Sequence, residues 1–266
     1  MPPPHDQAAG LRQLFASRQM RVIPVVSNPH VLGSGALLEG LCAAFSELGL
    51  RTLVVDAGEL SPEAPELAAV DLASCIEPLS PRVSYLAARG LPMRYINAHG
   101  SAARLVELLA DAAPQCQVLV LHASAAELAR LLAQREVRPV LLADTDVQSV
   151  THAYAGMKWL SQRAGVMVYS LLLACSPQLR LAQRIAEQLS SCGDGFLGAV
   201  LRDWACMDPR QNTNAPLEEP LRQLARELLH ATAPAVGLEA AAHAQPLRPR
   251  VNVTALGSVA LGRSSH

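Results

Sequence analysis

The chain has 266 residues, a formal net charge of −1, and a composition that is 50% hydrophobic, 17% charged and only 3% aromatic. The near-neutral balance excludes an electrostatic nucleic-acid binder, and the length suits one large domain plus tails. An apolar but aromatic-poor chain builds its core from leucine, valine and alanine, which suits helices packed on parallel strands.

In chain order, Met1 to Pro4 is a turn-like lead-in, unlike the charged and then apolar start of an export signal. In the stretch from His5 to Phe15, Asp6 can cap a helix start, and Leu11, Leu14 and Phe15 share one apolar face. Strands are predicted near 21–26, 52–55, 118–121, 139–143, 167–173 and 196–201. Helices are predicted near 35–48, 101–112, 124–135, 149–164, 177–191 and 217–230. Short strands alternating with helices indicate an α/β fold with a doubly wound, mostly parallel sheet flanked by helices. Residues 57–92, rich in proline, alanine and serine, yield no clear element.

Leu217, Leu221, Leu224, Leu228 and Leu229 form a helical stripe whose polar face mixes Glu with Arg, the pattern of a core-packing helix rather than a membrane anchor. The stretch 231–266 has no periodicity and is expected to be a disordered tail. The domain plan is therefore a helix and linker over 1–20, an α/β domain over 21–230 and the tail. The six cysteines show no C-x-x-C spacing and read as reduced, mostly buried thiols with no metal. The chain is expected to be cytoplasmic, since no apolar run is long enough to span a membrane.

The most informative stretch is VIPVVSNPHVLGSGALLEGLCAAFSELGLRTLVVDAG, beginning at Val22. It reads as strand, glycine-bearing loop, helix and parallel strand, the opening unit of a nucleotide-binding domain. A phosphate-binding loop of the form G-x-x-x-x-G-K-[ST] needs a lysine for the phosphates and a hydroxyl for Mg²⁺. Here Gly33 is followed by Ser34 and Gly35. Gly33, Gly35 and the later Asp56 imitate part of a dinucleotide fingerprint, but Leu38 occupies the third glycine position.

These residues resemble the MinD/ParA group of deviant-Walker ATPases, and within it the FlhG (FleN) family of flagellar number regulators. That family's loop is typically S-G-K-G-G-V-G-K-[ST], and its second strand ends L-D-A-D. Without a gap, Ser27 matches the opening serine, Gly33 the glycine before the Walker lysine, and Asp56 the first aspartate. Leu41, Glu47, Gly49 and Arg51 match the helix and the turn after it. In the same register Pro29 replaces the signature lysine, Ser34 the Walker lysine, Gly35 the magnesium hydroxyl and Gly58 the second aspartate. His122 ends the strand where the Walker B aspartate belongs. His152 also stands at a family aspartate, and both histidines read as drift. The asparagine that contacts adenine is expected after the strand near Leu172, where only Leu and Ala occur.

Other matches cover most of the chain. Tyr95 to Gly100 resembles I-P-A-x-S-G, and Ser149 to Leu160 resembles S-x-T-D-A-Y-A-x-I-K-x-L, keeping Ala153, Tyr154, Ala155 and Lys158. Phe196 to Asp203 resembles F-L-G-x-[IV]-P-x-D, with Leu201 at the usual proline. Asp6, Gln7, Ala8, Leu11 and Arg12 match the N-terminal D-Q-A-x-x-L-R element, with Phe15 extending its apolar face.

The resemblance implies that the N-terminal element is a helix that binds the FlhF GTPase and stimulates its hydrolysis. It further implies a pseudo-ATPase that uses no cofactor, with Ser27, Gly33, Ser34, Gly35 and Asp56 as a vestigial nucleotide site. Flagellar basal-body or transcriptional regulators are further candidate partners, as is recruitment to a cell pole or flagellar base. The alternative is a MinD-type switch that still binds ATP and dimerises.

Overall fold

The computed structural model describes residues 20–132, 135–176, 180–210 and 216–231. The predicted N-terminal helix, with Asp6, Gln7, Ala8, Leu11, Arg12 and Phe15, lies outside the described residues, as does the expected tail beyond Ala231.

Among the described residues eight strands form one sheet: β1 (Arg21–Val26), β2 (Thr52–Asp56), β3 (Glu77–Ser80), β4 (Val83–Ala87), β5 (Val118–Ala123), β6 (Val140–Asp144), β7 (Val168–Ala174) and β8 (Val200–Met207). Their order across the sheet is β3-β4-β2-β5-β1-β6-β7-β8. All neighbours pair in parallel except β3, which runs antiparallel to β4. The helices are α1 (Ser34–Glu47), α2 (Leu91–Arg94), α3 (Ala103–Ala112), α4 (Ala125–Leu131), α5 (Val147–Ala164), α6 (Arg180–Leu197) and α7 (Glu219–Ala231).

The alternation of side chains along each strand divides the core in two. On one face Ile23, Val25, Val54, Val120 and Leu142 pack under Leu37, Leu41 and Phe45 of α1 and Leu221, Leu224 and Leu228 of α7. The leucine stripe is thus the seam by which α7 closes this layer. On the other face Val22, Val26, Leu53, Val55, Leu119, Leu121 and Leu141 meet Leu105 and Leu109 of α3, Leu128 of α4, Met157 and Leu160 of α5, and Leu189 of α6. Close approach of helix to sheet needs small residues. A Cβ on Gly156 would sit 3.0 Å from Val26, and one on Gly40 would strike the Met207 sulfur.

Two expectations are corrected. The strand predicted near 196–201 begins only at Val200, because α6 runs on through Phe196 and Leu197. Gly198, at φ +64°, then turns the chain, a left-handed conformation that favours glycine. Within 57–92 the chain forms two 3₁₀ turns (Glu66–Ala69 and Ala73–Cys75), then β3 and β4. All six cysteines are free thiols, with Cys42, Cys116, Cys175 and Cys206 buried and Cys75 and Cys192 half-buried. No helix among the described residues is long and apolar enough to cross a membrane.

Candidate functional site

In open α/β sheets ligands bind beyond the carboxyl ends of the strands, where the strand order reverses. Here those ends belong to β1, β2 and β5, which lie side by side. Asp56 ends β2 directly beside His122 of β5, so both side chains leave the same face of the sheet. The His122 Nδ1 lies 2.6 Å from the Asp56 Oδ1. The Ser61 hydroxyl and the Gly58 amide also donate to Asp56 Oδ1, and the Tyr85 hydroxyl reaches Oδ2 at 3.4 Å.

Burial works to raise the Asp56 carboxyl. The hydrogen bond and charge of His122, with Ser61 and Gly58, outweigh it and hold the group below the ordinary carboxylate range. Burial, followed by the Asp56 charge, pushes the Tyr85 phenol up to about 12.

Gly58 is what lets the imidazole lie here. A Cβ at this position would be 2.6 Å from His122 Cε1 and 3.0 Å from Nδ1. Gly58 and His122 therefore form one packing arrangement. His122 is not mere drift: it is the buried partner of Asp56, although its Nε2 has no hydrogen-bond partner among the described residues. His152 is elsewhere, edge-on to His30 with ring centroids 5.6 Å apart.

The loop after β1 is held by its own atoms. Asn28 is buried, and its amide donates to the Leu142 carbonyl at 2.8 Å and the Ser149 carbonyl at 2.9 Å. Ser149 in turn accepts from the Asp144 amide, which explains the serine that opens the α5 motif. The Asn28 side-chain oxygen accepts the His30 amide, its carbonyl accepts the Val31 amide, and the Val31 carbonyl accepts the Ser34 amide. Val31 itself is fully buried under α1. The His30, Val31 and Ser34 amides are thus committed within this loop.

The cleft itself is about 210 Å³, below the roughly 300–1,000 Å³ usual for small-molecule sites. Of the residues singled out in the sequence, Ser27, Ser34, Gly35 and Asp56 line it; Gly33 does not. A Cβ on Gly33 would lie 2.5 Å from Pro209, so this glycine serves contact with the loop after β8. Glu59 was not foreseen. Its carboxylate accepts the Ser27 hydroxyl at 2.7 Å. Among the described residues the lining thus holds two carboxylates, Asp56 and Glu59, and no lysine or arginine. Ser61 and Tyr85 were also missed, because their contacts with Asp56 come from a loop and a strand without a sequence signal.

No protein-family profile matches the chain, and no curated protein matches it. Solved structures do. The chain is similar to the MinD cell division protein of Aquifex aeolicus, with 13% identity, 80% of this chain and 98% of that one covered, and a TM-score of 0.54. It is also similar to a putative plasmid partition protein of Borrelia burgdorferi B31 bound to AMPPNP, with 12% identity, 80% and 98% covered, and a TM-score of 0.55. A third is cobyrinic acid a,c-diamide synthase from Mycobacterium smegmatis, with 12% identity, 81% and 98% covered, and a TM-score of 0.55. The chain has the fold of the MinD/ParA-type P-loop ATPases.

Proposed function

We propose that this protein is a non-hydrolysing regulator on a MinD/ParA-type fold, resembling FlhG, whose N-terminal element activates an FlhF-type GTPase. The observation that carries the first half is the cleft: two carboxylates, no lysine or arginine among the described residues, and a loop whose His30, Val31 and Ser34 amides bond within it. An ATP molecule brings several negative charges, and each charge-assisted hydrogen bond to them is worth about 1.5–3 kcal/mol. The positions that would supply these contacts hold Pro29, Ser34 and Gly35. The carboxylates add repulsion instead.

The second half rests on the N-terminal residues. Leu11 and Phe15 would lie in a groove of the partner, while Asp6, Gln7 or Arg12 would reach its switch residues. The flagellar role follows from the resemblance of this element and of the core segments.

The test is GTP turnover by an FlhF-type GTPase mixed with the full chain or its Gln7→Ala and Leu11→Ala variants. Stimulation by wild type, reduced about tenfold or more in binding by Leu11→Ala and in turnover by Gln7→Ala, is expected. Equal stimulation by all three, or none by wild type, contradicts the assignment.

A further inference from the structure

The two core segments with the clearest family resemblance, Tyr95–Gly100 and Ser149–Leu160, meet at a groove that the cleft does not use. It lies between α4 and α5 and is rimmed by the loop that carries His99 and Gly100. Its volume is about 590 Å³. The floor is apolar: Ala126 and Ala129 of α4, and the ring of Trp159, which is 45% exposed. The walls are cationic: Arg130 and Arg163, with His99 at the rim, and among the described residues no carboxylate lines the groove.

The groove is built rather than incidental. The Arg130 guanidinium donates to the Gly100 carbonyl at 3.1 Å, and the Arg130 carbonyl accepts the Ala102 amide at 3.0 Å. Gly100 takes φ +77°, so the rim turns where a glycine is favoured. The Arg163 guanidinium lies 5.3 Å from the Trp159 ring centroid, which holds both side chains in place. On a chain of net charge −1, this is a preformed cationic and aromatic surface.

We propose that this groove docks an acidic, amphipathic peptide segment of a partner protein. Its apolar side chains would cover Trp159 and the alanine floor, and its carboxylates would pair with Arg130 and Arg163. Arginine suits the role because its planar fork binds carboxylates in two-point fashion and carries a weakly held hydration shell. A large exposed aromatic beside arginines is also the composition of interface anchors. The proposal is independent of the nucleotide cleft and of the N-terminal element.

The experiment titrates the full chain with a short fluorescent peptide in which glutamate alternates with leucine and phenylalanine. Saturable binding is expected, weakened by salt and by about tenfold in Arg163→Ala and Arg130→Ala. Trp159→Ala should weaken it similarly, and a peptide with glycine in place of the apolar residues should bind more weakly. Each variant is checked for an unchanged urea midpoint. An Arg163→Glu variant that binds the lysine-for-glutamate peptide instead would confirm the pairing. Binding that the three substitutions leave unchanged overturns the proposal, as does equal binding of wild type by the lysine peptide. Competition by single-stranded RNA at equal affinity would also overturn it, showing a general polyanion surface.

Discussion

Gly58→Ala should be the most damaging small substitution in the cleft. The added Cβ would lie 2.6 Å from His122 Cε1, 3.0 Å from Nδ1 and 3.1 Å from the Ser61 hydroxyl. The imidazole has little room to retreat: its side chain is 5% exposed and its Nδ1 is 2.6 Å from Asp56. Overpacking a filled site costs about 1–3 kcal/mol. If the ring moves, the charge-assisted bond to Asp56 is lost as well, another roughly 1.5–3 kcal/mol. Together the loss of stability should be about 2.5–6 kcal/mol. Gly35→Ala is the internal control, since a Cβ there meets nothing within 4 Å, and replacing glycine in a helix is neutral or stabilising by up to about 1 kcal/mol. Urea unfolding of both variants, at unchanged m, measures the difference. In a double-mutant cycle His122→Ala should recover much of the Gly58→Ala loss. A Gly58→Ala midpoint equal to that of Gly35→Ala would refute the packing argument.

Further outcomes follow from the same geometry. Asp56 is held below the ordinary carboxylate range, so its contribution to stability is present above about pH 3.9, the unfolded value, and is lost as pH falls through the lower folded value. Unfolding free energies measured from pH 6 to 2 should therefore fall less steeply below about pH 4 in Asp56→Asn than in wild type; identical slopes would count against the pairing. Asn28→Ala leaves the Leu142 and Ser149 carbonyls without their amide partner, at a cost of about 1–3 kcal/mol. Hydrogen exchange should speed up in the loop after β1, and unchanged protection there would contradict its anchoring. Restoring Ser34→Lys and Gly35→Thr together should produce no ATP turnover, because Gly58 and His122 still occupy the aspartate positions. Phosphate release assays decide this, and turnover in that variant would show the aspartates to be dispensable.

The parallel sheet was legible because each buried strand is a short apolar run and each helix carries a leucine face, as in Val118 to Leu121 and in α7. The hairpin of β3 and β4 was not. Glu77 to Ser80 is wholly exposed, contains a proline and lies at the sheet edge, so no alternation marks it. The misplaced start of β8 has a single cause: Phe196 and Leu197 look strand-like, but Gly198 places the turn after them. In the site, Asp56 and His122 were each visible as positions in a pattern. Their bond was not, because it depends on β2 lying beside β5, a pairing between residues 66 apart. Glu59 was invisible for a related reason. Its contact with Ser27 joins two loops that only the sheet order brings together.

The central claim is that the cleft at the ends of β1, β2 and β5 is closed to ATP. Calorimetric titration of the full chain with Mg-ATP, carried to millimolar nucleotide, tests it most directly. No saturable heat is expected, with or without Mg²⁺. A saturable isotherm with micromolar affinity, abolished by substituting Ser34, would contradict it.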